Sequence, residues 1–244
     1  MKAVLTIFRK EVAAFLNSLI AYLVMVVFLV GVGLFVWLFE YNLLEMGIAS
    51  LDPLFDFGPY FFLFLGPAIT MRSFAEETKG GTMEFLLTKP LTDWHIILGK
   101  YLAAVFLVLI ALIPTVIFVV TIYQLGKPVG NLDMGATIGA YLGLFALGSI
   151  FAAIGVFTSS LTSNQIVAFV LGVFLCFFMF LAFEFLAGIK SLDGINAFFL
   201  KMGIMEHYRS ISRGVLDSRD LLYFFSLIAI ALIGTKMSLE FKRA

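Results

Sequence analysis

Apolar residues fall in six long unbroken blocks separated by polar segments, and this block pattern sets the architecture. The blocks cover about 20–39, 59–75, 96–122, 135–158, 166–186 and 220–236, the shortest being 17 residues. At 1.5 Å rise per residue, roughly 20 apolar residues (range 17–25) cross a hydrocarbon core. The pattern therefore predicts an all-α membrane protein with six transmembrane helices in a single domain over 1–244. A β-barrel would need strands alternating between lipid and lumen, and these runs do not alternate.

Residues 1–19 follow a different rule. Lys2, Thr6, Arg9, Lys10 and Asn17 share one helical arc, while Val4, Phe8, Val12, Phe15 and Leu19 recur at spacings of three and four on the other. Glu11 lies near the edge of the polar arc. The spacing predicts an N-terminal interfacial elbow helix, with Lys2, Arg9 and Lys10 toward an anionic membrane surface. Pro67 and Pro114 interrupt spans two and three, where a missing backbone N–H favours kinks. Asn131 or Asp133 is placed to cap span four, and Thr92 to cap the helix entering span three. The hydroxyl-rich Ser159-Ser160-Leu161-Thr162-Ser163-Asn164-Gln165 reads as a tight turn with helix caps.

Composition agrees: 62% of the 244 residues are hydrophobic and 13% charged, and mean hydropathy is +1.08. The net charge is zero but unevenly spread. With the N-terminus inside, the inner segments carry ten Lys and Arg and six acidic residues; the outer segments carry six and ten. The first outer loop holds Glu40, Glu45, Asp52 and Asp56 with no basic residue. Both termini of this multi-pass membrane protein are therefore expected in the cytoplasm. The outer loop 187–219 carries five basic residues and argues mildly the other way. Its residues 191–214 suggest short helices at the outer interface, serving as an exit gate or as an anchor.

Candidate chemistry inside the membrane is sparse. Glu184 lies eight residues past the middle of span five, about 12 Å from the midplane. Ion-coupled transporters place ionisable groups deeper, so energy is expected to enter from outside the bilayer. Cys176 is the single cysteine, and His95 and His207 fall in different loops. Glu76-Glu77 resembles the E-E-x-x-x-R motif of membrane proteases, but position 81 is glycine and no histidine completes a site on a neighbouring span. No G-x-x-x-x-G-K-[ST] loop occurs, so ATP binding of that kind would have to come from another chain. No enzyme activity, cofactor or nucleic-acid partner is expected.

The segment 72–95 between spans two and three is the densely charged one. Arg72, Glu76, Glu77 and Lys79 continue span two out of the membrane until Gly80-Gly81 stops the helix. Thr82 can cap a short helix, with Glu84 in its first turn and Pro90 closing it. Leu86 and Leu87 then either fit a partner's groove or fold back on the bundle.

The run Glu77-Thr78-Lys79-Gly80-Gly81-Thr82-Met83-Glu84-Phe85-Leu86-Leu87-Thr88-Lys89-Pro90 resembles the E-x-x-x-G-T-x-E-x-L-L-x-x-P signature of ABC-2 type exporter permeases. Resemblance extends along the whole chain, from basic elbow to long outer loop. Within that family, three stretches are similar to the gliding-motility-associated permease subunits (GldF): Pro67–Phe74, Thr121–Gly126 and Ser210–Asp217. The resemblance implies that Thr82–Thr88 is a coupling helix inserting into a cytoplasmic ABC ATPase subunit. Glu84, Phe85, Leu86 and Leu87 would dock there, with Glu77 and Thr82 shaping the loop. It implies that spans one and five line the seam with a second permease subunit, like or unlike this one, amid membrane lipids. The gliding-associated members imply a role in gliding motility. A non-transporting anchor or mechanical transducer would need the same coupling loop, and a secondary transporter is disfavoured by the empty membrane interior.

Overall fold

The structure is a computed structural model that describes residues 2–39, 42–45, 47–83, 91–189, 196–214 and 217–243, and among them every regular element is helical. Among the described residues, six helices are long and apolar enough to cross a membrane: Leu19–Trp37, Asp52–Lys79, Asp93–Leu125, Met134–Leu161, Gln165–Ala187 and Ser218–Arg243. They are spans one to six, so both chain ends lie at one face of the bundle.

Several spans are longer than the apolar blocks. Span two starts at Asp52 because Pro53 occupies its first turn, where a missing N–H costs nothing. Pro59 and Pro67 both lie inside it. Span three absorbs Pro114 in a short tight turn, Ile113–Thr115, and resumes as a helix from Val116 to Leu125. There the Tyr141 hydroxyl of span four donates to the Thr115 carbonyl at 3.0 Å. Asp133 caps span four by accepting from the Ala136 amide at 3.0 Å, and Asn164 caps span five by accepting from Ile166 at 2.9 Å.

Spans two and four form the centre, each 67% buried over its most apolar window; spans one, five and six, at 22%, 28% and 17%, form the perimeter. Phe62 of span two and Leu144, Leu147 and Phe151 of span four are fully buried between them. Gly155 allows the closest approach, because a Cβ there would run into the Thr70 hydroxyl and lie 3.2 Å from Pro67 Cα. Small residues let membrane helices meet backbone to backbone, which apolar side chains alone do not achieve in lipid.

The N-terminal helix, Lys2–Leu16, lies against the start of span three. Gly99 makes this possible, since a Cβ there would meet Ile7 at 2.7 Å and the Val4 carbonyl at 3.1 Å. Phe8 meets Phe106 edge to face, 5.5 Å between centroids. At the opposite face, the short helices Asn196–Met202 and Ile204–Ser212 sit between spans five and six. The second is seated by Ile204, Tyr208 and Ile211, all buried.

Candidate functional site

The charged side chains of the 72–95 segment gather with those of the N-terminal helix into one cluster at the chain-end face. Lys100, about two helical turns into span three, has its side chain 1% exposed. Its ammonium donates to Glu11 Oε1 at 2.8 Å and to the Ser73 carbonyl at 2.6 Å. Glu77 Oε2 lies 2.9 Å away as a third neighbour, and the Phe74 ring faces the ammonium at 5.1 Å. A buried ammonium is tolerated only when carboxylates and carbonyls surround it this completely.

Lys10 completes the chain of charges by donating to Glu77 Oε1 at 2.9 Å. Partial burial pulls its pKa down, but the Glu77 hydrogen bond and the Glu77 and Glu11 charges outweigh this and hold it above the ordinary lysine value. Arg72 Nη1 donates to the Ser18 hydroxyl at 2.7 Å, while its Nε lies 3.3 Å from Glu76 Oε2. Three cations thus balance three carboxylates. They rim a cavity of about 210 Å³ whose deeper wall is Ile69, Ala103, Ala104 and Leu107.

A second joint lies behind the cluster. The Ser159 hydroxyl of span four accepts from the Phe74 and Ala75 amides at 3.0 and 3.1 Å and donates to the Met71 carbonyl at 3.0 Å. Span two breaks its regular helix at 71–74 before continuing as Ala75–Lys79. A side chain from another span therefore supplies the cap that the new helix start lacks in its own sequence.

The feet of the loop are fixed on both sides. Gly81 adopts φ +67°, a left-handed conformation that favours glycine, and ends the span-two extension. The Thr82 hydroxyl donates to the Glu77 carbonyl at 3.3 Å. Met83 is buried in a cluster that includes Phe74, Ile96 and Ile97. On the return side, the Thr92 amide donates to His95 Nδ1 at 3.3 Å, and Arg243 pairs with Asp93 at 2.8 Å.

Of the sequence-derived candidates, Lys10 and Glu77 are brought into direct contact, and Thr82 lies beside Glu77. Lys2 and Arg9 are exposed on the N-terminal helix. Glu84, Phe85, Leu86 and Leu87 lie outside the described residues. The central member, Lys100, entered the sequence reading only as one of the ten inner Lys and Arg. Glu11 read as a stray on the polar arc, yet it faces inward with Ile7 and Phe8. A charged residue about two turns past a helix start, inside an apolar run, was the available signal.

The six apolar helices and the charged joint at one face define a multi-pass membrane protein with a braced loop between spans two and three. The family described as ABC-2 family transporter protein matches residues 5–237, nearly the whole chain, and the protein belongs to that family. It is a membrane-embedded permease subunit of the ABC-2 type, a family that generally works with a cytoplasmic ABC ATPase. No curated protein sequence matches the chain.

Proposed function

We propose that this chain is the permease half of an exporter powered by a separate cytoplasmic ABC ATPase, which grips the segment Thr82–Thr88. The observation that carries this reading is the bracing of both feet of that segment. Glu77 is fixed to Lys100 and Lys10 on one side, and Asp93 to Arg243 on the other. A loop that only linked two spans would gain nothing from a buried ammonium. A loop that must pass a push to the N-terminal helix and to spans two, three and six needs joints of this kind.

In this reading both termini are cytoplasmic and the membrane is the bacterial inner membrane. Glu84, Phe85, Leu86 and Leu87 enter the ATPase, while Lys2 and Arg9 face anionic lipid. Spans one and five meet a second permease subunit, as homodimer or heterodimer. Their outward residues support this, since Leu23, Val26, Val27, Val30, Ile166, Val170 and Phe174 are all exposed on the isolated chain. The resemblance of Pro67–Phe74, Thr121–Gly126 and Ser210–Asp217 to the gliding-motility-associated permease subunits supports a role in gliding motility.

The same apolar faces favour a second reading. Tyr22 is the polar exception among the large exposed side chains of span one. A seam this apolar suits an amphiphilic cargo, or none, in which case the chain anchors and transduces motion.

Detergent co-purification from the native membrane tests the proposal. The wild-type chain is expected to bring down a nucleotide-hydrolysing subunit, and a Glu84→Lys, Leu87→Asp variant to insert normally and lose it. Absence of any ATPase from the wild-type eluate overturns the reading.

A further inference from the structure

The cavity at the chain-end face has more polar capacity than the brace around Lys100 uses. Its walls come from the N-terminal helix, span two and span three. Lys100 is committed to Glu11 and Ser73, and Lys10 gives one of its three N–H groups to Glu77. Arg72 is committed less. Of its five N–H groups one donates to the Ser18 hydroxyl, and the buried Nε lies 3.3 Å from Glu76 Oε2 without a hydrogen bond. The Glu76 carboxylate is exposed, and that loose pair with Arg72 is its one polar contact among the described residues.

Depth gives these groups a setting. Arg72 reaches Ser18, the residue before span one, so the charged layer lies where the chain enters the membrane. Leu107 lies seven residues beyond Lys100 on span three, about 10 Å deeper. With Ile69, Ala103 and Ala104 it makes the far wall apolar. A charged rim above an apolar wall fits the headgroup and first carbons of a phospholipid. The volume of about 210 Å³ is below the roughly 300–1,000 Å³ of pockets that enclose a whole small ligand. It therefore suits one headgroup and the top of one chain, with the rest of the lipid outside.

Charge selects the headgroup. Lys10, Arg72 and Lys100 stand against Glu11, Glu76 and Glu77, so the walls carry no net charge. A purely anionic headgroup would set a phosphate against Glu76 with nothing to offset it. A quaternary ammonium has no N–H to give that carboxylate. We propose that this cavity binds a phosphoethanolamine lipid headgroup, whose phosphate accepts from Arg72 and Lys10 while its primary ammonium donates to Glu76. Such a site needs no ATPase, so it stands independently of the proposed coupling.

Native mass spectrometry of the full chain in detergent tests the site, with phosphatidylethanolamine, phosphatidylcholine or phosphatidylglycerol of matched chains added in turn. The wild-type chain is expected to retain one phosphatidylethanolamine roughly ten-fold more tightly than either other lipid, the scale of one charge-assisted hydrogen bond. Arg72→Gln should weaken that binding about ten-fold, for the same reason. Glu76→Gln removes the acceptor for the ammonium and leaves the walls one charge positive, so phosphatidylglycerol should overtake phosphatidylethanolamine. Glu76 is exposed, so this variant carries the test if Arg72→Gln does not fold. Lys2 and Arg9 are unchanged in both variants, so attraction of anionic lipid to the N-terminal helix cancels in the comparison. Equal affinity of the wild-type chain for the three lipids overturns the proposal, as does the absence of any retained lipid. A Glu76→Gln variant that keeps the wild-type order of lipids overturns it too.

Discussion

The Tyr208 hydroxyl donates at 2.7 Å to the carbonyl oxygen of Phe55, 153 residues away. That carbonyl is the one Pro59 leaves unpaired, because in a regular helix it would accept from the amide four residues later and proline has none. Buried backbone carbonyls do not go unpaired without cost inside a membrane bundle. The second short helix is therefore docked by repairing a defect in span two. Tyr208 is buried and close to Asp56, and both push its pKa well up, so it remains a hydroxyl donor at any ordinary pH.

This gives the first prediction. Tyr208→Phe should destabilise the fold by about 1–3 kcal/mol, the cost of an unsatisfied buried acceptor. Pro59→Ala restores the missing amide, so the double variant should recover much of the loss. Thermal unfolding in detergent, followed by size-exclusion chromatography, measures the cycle; purely additive losses would show that the two residues do not share the carbonyl.

Removing the buried ammonium should be costlier than its small contact area suggests. Lys100→Met leaves Glu11 and Glu77 with only the exposed Lys10 as a shared cation, and breaking a buried ion pair costs about 3–5 kcal/mol. Adding Glu11→Gln and Glu77→Gln to it should return stability toward wild type. The same thermal assay applies, and a Lys100→Met variant as stable as wild type would rule out a structural role for the cluster.

Ser159→Ala takes the cap from the Phe74 and Ala75 amides and the donor from the Met71 carbonyl. A loss of about 1–3 kcal/mol follows from leaving buried groups unpaired. Proteolysis should then cut first near 71–83, ahead of any cut in span four. Unchanged protease resistance would mean that the break in span two is held by other contacts.

Packing between spans two, four and five leaves no room at two glycines. A Cβ on Gly155 would overlap Thr70, and one on Gly172 would come 2.9 Å from Pro67 Cβ. Gly155→Leu should prevent a monodisperse preparation, since even modest overpacking costs about 1–3 kcal/mol. Gly33 has open space around its Cα, so Gly33→Leu in span one should leave chromatographic behaviour of the single chain unchanged.

Much of the cluster at the chain-end face was legible only in part. Arg72, Glu76 and Glu77 stood out because charge is rare in this chain, and Gly80-Gly81 marked the helix stop. Lys100 and Glu11 did not, because their pairing spans 89 residues and no local period encodes it. Ser159 read as a turn residue, but span four runs on as helix to Leu161, and the partners of Ser159, Met71, Phe74 and Ala75, belong to another span.

Block length and apolar content determined the number and rough placement of the spans, because a bilayer demands unbroken apolar helices of near-constant length. The chain also announced the helix stop at Gly80-Gly81, a span-four cap at Asn131 or Asp133, of which the structure uses Asp133, and the charged loop between spans two and three, all of which are local in sequence. Which spans are central, which carboxylate meets Lys100, and which hydroxyl satisfies the carbonyl that Pro59 orphans were decided by tertiary structure. Those choices depend on distances between residues far apart in the chain. In an apolar medium, many helix faces are equally hydrophobic, so glycine fit and buried polar partners select among arrangements that hydropathy cannot tell apart.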